Sequence, residues 1–256
     1  MALERLRQDG KVAIVTGGVR GVGLGVARVL AEAGASIVVT ARTASHIDSA
    51  VASLQALGAS ATGIVGDVTK RADNEHVIET ALREFGRIDI LINNAGGTDG
   101  IRPFLEIDEE KFEGDFRLNV QSALQMTQLA APHLMKSGDG SVVNISSRSA
   151  QLGSRGFTSY SVVKAALERL TCMMAKELAP TVRVNAISLG TIFTEGFEQI
   201  LKITPDLADT LTNLIPLHRI GDPEDVGLAA LYLCSSRAYA TGTVMRLDGG
   251  VDAPVR

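Results

Sequence analysis

Short apolar runs alternate along the chain with longer stretches in which apolar residues return every three or four positions. Val12-Ala-Ile-Val-Thr16 is the first run and has no polar position before Thr16, as a strand covered on both faces requires. Further runs at Ile37–Thr40, Ala61–Val65, Ile88–Ile92, Ser141–Ile145, Val182–Ile187 and Thr243–Leu247 bring the prediction to about seven strands. Helical spacing fills the intervals: from the glycines after Thr16 to about Gly34, from Ser45 to Leu57, from Arg71 to Phe85, and as one long pattern from Asp108 to Met135. Another helix carries Tyr160 and continues to about Leu178, where Pro180 stops it, and a last one covers Pro223 to Leu233. Such alternation predicts an α/β fold, a doubly wound parallel sheet with helices on both faces. No repeat, linker or low-complexity tract divides it, so residues 1–256 read as a single domain.

Composition narrows the possible roles. With 256 residues, 45% of them hydrophobic and 21% charged, the chain can bury one large core. No apolar run reaches membrane-spanning length, and the start is charged (Glu4, Arg5, Arg7, Asp9) where a signal segment would be apolar, so the expectation is a cytoplasmic protein with no membrane partner. A net charge of −4 with no basic block argues against nucleic acid as a partner. Cys172 and Cys234 lie far apart in helical patterns and read as small buried hydrophobes. His46, His76, His133 and His218 show no metal-ligand spacing, and no metal site is expected.

Two stretches carry chemistry. In the turn after the first strand, Gly17-Gly-Val-Arg20-Gly21-Val22-Gly23, absent side chains allow close approach, and the helix that follows aims backbone N–H groups and its positive end at a pyrophosphate. The turn therefore predicts a dinucleotide site. The second stretch is Tyr160-Ser-Val-Val-Lys164, with Ser147 ahead of it. Four apart on a helix, the two side chains share a face, so the ammonium favours an ionised phenol. Proton transfer near neutrality asks for a downward shift of about 3 units, or about 4 kcal/mol, which a cationic neighbour and a cationic cofactor ring can supply. Tyr160 is thus a candidate proton carrier.

Together, Thr16-Gly17-x-x-x-Gly21-x-Gly23, Asn93-Asn94-Ala95-Gly96, Ser147 and Tyr160-x-x-x-Lys164 resemble, in order and spacing, the short-chain dehydrogenase/reductase family; the resemblance spans Lys11 to Gly250. It implies a Rossmann fold, making residues 1–256 one dinucleotide-binding and catalytic domain. It implies further that Tyr160 is the general acid/base, that Lys164 lowers its pKa and holds the nicotinamide ribose, and that Ser147 hydrogen-bonds the substrate oxygen. Ser147 holds the family's serine position; Ser146 is assigned a structural role. Asn119, in Leu118-Asn119-Val120, matches a helix asparagine that holds a water linking the lysine to solvent, the alternative being a polar residue packed within a helix. The remaining implied cofactor contacts are Gly17, Arg20, Gly21, Val22 and Gly23 at the turn, Asp67 and Val68 at the adenine, Asn94, Ala95 and Gly96 beside its ribose, and Gly190, Ile192 and Thr194 toward the nicotinamide. Where the family usually has Pro-Gly after the sixth strand, this chain has Leu189-Gly190, which frees φ and restores an N–H donor.

The end of the second strand bears on the choice of cofactor. An NAD site of this kind places an acid there for the ribose 2′-hydroxyl, and an NADP site needs a cation for the 2′-phosphate. Val39-Thr40-Ala41-Arg42 has alanine in the acid's place with arginine next, and Arg20 precedes Gly21, so NADP(H) is favoured over NAD(H); solvated surface arginines are the alternative.

The implied reaction is hydride transfer between the cofactor and a carbonyl or secondary alcohol of a small molecule, in a direction the sequence leaves open. Residues 194–215 match the family's variable substrate lid. Phe193, Phe197, Ile200, Leu201, Leu207, Leu211 and Leu214 recur there at helical spacing and either line an apolar pocket, extended by Leu152, Phe157 and Leu189, or pack the lid on the domain. A 3-oxoacyl-[acyl-carrier-protein] reductase is the alternative, weakened because the turn after the Tyr160 helix, Ala179-Pro180-Thr181, is not basic. A non-catalytic cofactor-sensing protein is more remote, since all four catalytic residue types are present. Relatives are commonly tetramers, so a homotetramer is expected.

Overall fold

The structure, a computed structural model, describes residues 3–98, 100–153 and 155–251. In chain order its principal elements are β1 (Val12–Thr16), α1 (Gly21–Glu32), β2 (Ser36–Ala41), α2 (Ala44–Ala56), β3 (Ala61–Val65), α3 (Arg71–Phe85), β4 (Ile90–Asn93), α4 (Glu109–Phe116) and α5 (Ser122–Ser137). There follow β5 (Gly140–Ser147), α6 (Thr158–Leu178), β6 (Val182–Leu189), α7 (Glu195–Ile203), α8 (Leu207–Leu214), α9 (Pro223–Cys234) and β7 (Val244–Leu247).

The strands form one parallel sheet in the order β3-β2-β1-β4-β5-β6-β7. Every residue of β1 is buried, which explains its unbroken apolar run. Side chains alternate across the pleat: Ala13 and Val15 pack with α1, α2 and α9, whereas Val12 and Ile14 pack with α3, α5 and α6. Each fully buried Ile or Leu in these layers, such as Ile14, Ile37, Leu91 or Leu134, contributes about 1.5–3 kcal/mol. The chain reverses its direction of winding between β1 and β4, and in an open sheet of this kind ligands bind beyond the carboxyl ends of the strands at that place. Among the described residues no helix is long and apolar enough to cross a membrane, and no three His, Cys, Asp or Glu side chains cluster to hold a metal ion.

Four elements depart from the sequence reading by two residues or more. β4 starts at Ile90 because the Asp89 carboxylate accepts from the Val12 backbone N–H at 2.9 Å and ion-pairs with Arg87 at 2.6 Å. β5 and β6 run two residues further than their apolar cores, through Ser147 and Leu189, because those residues pair with each other. The long helix expected from Asp108 to Met135 is two helices, α4 and α5, joined by a π-helical stretch at Arg117–Gln121. Asn119 accounts for that break. Its side-chain Nδ2 donates to the Asp115 carbonyl at 2.9 Å, taking the acceptor that the helical ladder would otherwise use and widening the turn.

Directly beneath these strand ends lies a buried polar chain. Asn93 Nδ2 donates to Asn144 Oδ1 (2.8 Å) and to Thr127 Oγ1 (3.2 Å), and Asn144 Nδ2 donates to Thr171 Oγ1 (2.8 Å), joining β4, β5, α5 and α6. Asn144 and Thr171 are fully buried, so each partner lost is a desolvated group left unpaired. Asn144→Ala is expected to cost about 2–4 kcal/mol in urea unfolding, and a loss below about 0.5 kcal/mol would show that the chain of bonds contributes nothing.

Candidate active site

At the carboxyl ends of β1 and β4 the backbone is stitched into one surface. Thr16 Oγ1 accepts from the backbone N–H groups of Asn94 and Ala95, both at 3.0 Å, while Asn94 Nδ2 donates to the carbonyls of Thr16 (2.9 Å) and Gly17 (3.1 Å). Two glycines are required here. Gly17 has a φ of 62°, and a Cβ on Gly23 would sit 2.3 Å from the Gly17 carbonyl oxygen and 2.5 Å from Asn94 Nδ2. The turn delivers the N-terminus of α1, where Arg20 at the cap position makes no side-chain capping bond. Uncapped N–H donors, the positive helix end and side-chain-free backbone are what a pyrophosphate needs, so this turn fits a dinucleotide.

A cleft of about 700 Å³ runs from this turn. Of the residues singled out in the sequence, Gly17, Arg20, Gly21, Val22, Gly23, Arg42, Asp67, Val68, Asn94, Ala95, Gly96 and Thr194 line it. Gly190 and Ile192 do not. Gly190 packs against Asp248, whose Cα would lie 2.7 Å from a Cβ there, and Ile192 pairs with Gly221 and packs against the core. Sequence reasoning missed Thr43, His46, Arg117 and Leu118, which also line the cleft. Their positions carried a signal: Thr43 and His46 follow Arg42, and the other two immediately precede Asn119. At the far end, partial burial pushes the Asp67 carboxyl up, but hydrogen bonds from Thr69 and the positive fields of Arg42 and Lys70 prevail and hold it below its usual value.

Gly96 connects the cleft to the four candidate catalytic groups. A Cβ on Gly96 would lie 2.7 Å from Asn119 Oδ1 and 3.1 Å from Lys164 Nζ, so both side chains converge on its open face. Asn119 further clasps Gly97 in both directions, Nδ2 to the carbonyl at 2.7 Å and Oδ1 from the N–H at 3.0 Å. With Nδ2 also bonded to Asp115, its amide hydrogens are both engaged within the protein, and a water carried at this residue would be held by its main chain. Lys164 is buried and donates to the Ile145 carbonyl at 2.9 Å, its Nζ lying 5.6 Å from the centre of the Tyr160 ring. Ser147, at the end of β5, is near enough to the Tyr160 phenol to favour its ionised form, while its hydroxyl donates to Ser149 Oγ at 3.2 Å.

The electrostatics correct one expectation. The protein's own groups move the Tyr160 phenol up: desolvation raises it, the Ser147 hydroxyl lowers it less, and the Asp115 carboxylate raises it further. Burial at the same time lowers Lys164 to about 8 against the opposing pull of Glu168, so near neutrality its charge is held less firmly than that of a solvated lysine. Tyr160 and Lys164 are side by side, as their spacing required, yet the lysine alone does not depress the phenol.

Residues 194–215 form α7 and α8. Neither helix has a buried residue; Ile200, Ile203 and Leu214 stand exposed, and Phe193 meets Phe197 edge-to-face with ring centres 6.0 Å apart. Leu152 and Phe157 are half-buried near the start of α6. Leu189 does not join them: it is 8% exposed, pairs with Ser147 and Leu247, and packs in the core, so the residue standing in place of proline extends the strand instead of lining a pocket.

Known proteins match this architecture along nearly its whole length. Residues 17–252 match the family model described as enoyl-(acyl carrier protein) reductase. The human dehydrogenase/reductase SDR family member 4 is 38% identical over 94% of this chain and 87% of its own length. The 3-oxoacyl-[acyl-carrier-protein] reductase of Thermotoga maritima is 34% identical over 96% of this chain and 99% of its own. A solved 7 alpha-hydroxysteroid dehydrogenase, complexed with NADH and 7-oxo glycochenodeoxycholic acid, superimposes with a TM-score of 0.92 at 36% identity, covering 97% of this chain and 96% of that one. The chain therefore belongs to the short-chain dehydrogenase/reductase family, as a nicotinamide-dependent oxidoreductase of alcohol and ketone substrates.

Proposed function

We propose that this enzyme uses NADP(H) to interconvert the carbonyl and secondary alcohol of an apolar small molecule, with Tyr160 as its proton carrier. The observation that carries the reading is the meeting of Ser147, Tyr160 and Lys164 beyond the Gly96 end of a cleft that starts at an uncapped helix N-terminus. The cofactor supplies the hydride. In the reducing direction the Ser147 hydroxyl orients the substrate oxygen, and the Tyr160 phenol delivers a proton to it. Lys164 would hold the ribose and, together with the positively charged oxidised ring, stabilise the phenolate left behind. Asn119, by clasping Gly97, keeps the backbone at Gly96 pressed against the lysine, and the widened turn at Arg117–Gln121 offers main-chain groups through which the proton returns from solvent.

Arg20 and Arg42 support the choice of NADP(H). Both are exposed on the cleft, Thr43 and His46 stand beside Arg42, and Ala41 offers no carboxylate to a ribose hydroxyl. The exposed apolar side chains of α7 and α8 support an apolar substrate closed over by residues 194–215 acting as a lid. The superimposed 7 alpha-hydroxysteroid dehydrogenase holds 7-oxo glycochenodeoxycholic acid, a ketone on a hydrocarbon ring system with a polar tail. A 3-oxoacyl thioester on an acidic carrier is the second reading, favoured by the Thermotoga maritima relative. Turnover of a carrier-linked thioester well above that of the same acyl group on a small thiol would establish it. We also propose a homotetramer, consistent with the exposed Val162 and Met173 on α6 and Met135 on α5; a stable monomer by light scattering would remove it.

Three outcomes follow from these assignments. Tyr160→Phe is expected to lower kcat by about 10²-fold or more with cofactor Kd nearly unchanged, because the ring stays and the donor goes; activity within a factor of a few of the parent would reject the proton-carrier role. Arg42→Ala is expected to weaken NADPH about 10- to 100-fold and NADH hardly at all, and Ala41→Asp to move preference toward NADH. A parent that prefers NADH, or an Arg42→Ala variant that weakens both cofactors equally, would overturn the NADP(H) assignment. Trimming Phe197 or Leu201 to alanine should change KM more than melting temperature, since neither helix of this segment holds a buried residue; a large fall in Tm with KM unchanged would make these residues core.

A further inference from the structure

Lys164 and Glu168 lie one turn apart on α6, and their side chains end on consecutive residues of β5. Lys164 Nζ donates to the Ile145 carbonyl at 2.9 Å, and Glu168 Oε1 accepts from the Ser146 hydroxyl at 2.8 Å. At this spacing the carboxylate and the ammonium occupy neighbouring places on one helix face. The other oxygen of Glu168 takes a short hydrogen bond from Gln151 Nε2, whose Oε1 in turn accepts from Arg148 at 2.7 Å and from Ser188 Oγ at 3.3 Å. Arg148 is buried, and its Nε lies 2.7 Å from Asp248 Oδ2, both side chains being nearly solvent-free. That approach is off the N–H direction, so the contact is an ion pair and not a hydrogen bond. The series Asp248, Arg148, Gln151, Glu168 thus ties the residue after β7, the residue after Ser147 and the middle of α6 into one arrangement behind the catalytic serine and lysine.

We propose that Glu168 is a positioning residue of this site, holding Lys164 in its charged form and fixed on the Ile145 carbonyl. The groups facing the lysine leave little else for the task. On its own helix it meets the Tyr160 ring, from β5 the Ile145 carbonyl, from the π-helical stretch the Asn119 amide, and from the loop after β4 the side-chain-free Gly96. The Asp115 carboxylate acts on Tyr160, and Arg148 and Asp248 largely neutralise each other. Glu168 is the carboxylate whose field opposes the loss of the lysine's charge on burial. Ser146, which the sequence marked as structural, acquires a specific duty, since it aims that carboxylate. The proposal rests on Lys164 belonging to the site and on nothing about which cofactor or substrate is used.

The test is a titration of Lys164 Nζ by heteronuclear NMR in the full chain without cofactor, with Lys164→Ala assigning the resonance. Removing the negative charge favours the neutral amine, so the midpoint must move down. The parent is expected to titrate at about 8, Glu168→Gln lower by about one pH unit, and Glu168→Asp close to the parent. The limb of the kcat/KM pH profile that reports the lysine should move in the same order. If folded Glu168→Gln titrates within about 0.2 units of the parent, or if the Gln and Asp variants fall alike, the proposal is overturned. Should Glu168→Gln not fold, Ser146→Ala combined with Gln151→Ala releases the carboxylate from its two clamps; a lowered Lys164 midpoint is expected there too, and an unchanged one overturns the proposal. Because no substrate enters the NMR measurement, its failure is distinguishable from failure of the assigned reaction.

Discussion

Lys164 carries its charge to a place where 4% of its surface meets solvent, and much of the site follows from how that charge is accommodated. A buried ammonium needs acceptors. The Ile145 carbonyl supplies one at the point where β5 passes beneath α6, and Glu168 supplies a compensating field from one turn further on. It also needs room, which Gly96 provides by having no side chain, and Gly96 in turn stays in place because Asn119 clasps the next residue on both its N–H and its carbonyl. The cost of holding this cation dry is what makes it useful: a lysine titrating at about 8 responds to small changes in its surroundings, as a solvated one near 10 does not.

The sheet places these parts with little freedom. Thr16 and Asn94 lock the ends of β1 and β4 together across the point where the winding reverses, and the chain leaving each strand must therefore border one cleft. Below it, the Asn93, Asn144 and Thr171 side chains hold α6 in register with β4 and β5, so that Tyr160 and Lys164 arrive at the level of Ser147. Strand extension through Ser147 and Leu189 serves the same end, since it is pairing, and not hydrophobicity, that carries β5 to its terminal serine.

Much of this was legible in the chain itself. An unbroken apolar run at Val12–Val15 demands burial on both faces, and β3 and α3 begin and end where their patterns do. Lys164 and Tyr160 share a face because four residues make about one helical turn. What was not legible depended on groups distant in sequence. The interruption of the long helix arises from a single asparagine that bonds the Asp115 carbonyl one turn back while its side chain is held by Gly97, and only the fold brings Gly97 to it. The upward shift of Tyr160 comes from its enclosure and from Asp115, neither of which the Tyr-x-x-x-Lys spacing reveals. Leu189 looked like pocket and is core because β7 covers it. Glu168 went unremarked because a glutamate on a helix is ordinarily solvated, and its ties to Ser146 and Gln151 reach 22 and 17 residues back along the chain.

If the protein by itself raises the phenol, then the ionised tyrosine needed for alcohol oxidation must await a positive charge beyond Lys164, as an oxidised nicotinamide ring carries. The ultraviolet difference absorbance of tyrosinate, recorded against pH for the parent minus Tyr160→Phe, measures this directly. In the cofactor-free protein the phenol is expected to titrate above the ordinary value near 10, and to fall when the oxidised cofactor is added. A phenol that already titrates well below 10 without cofactor, or one that does not move on its addition, would contradict it.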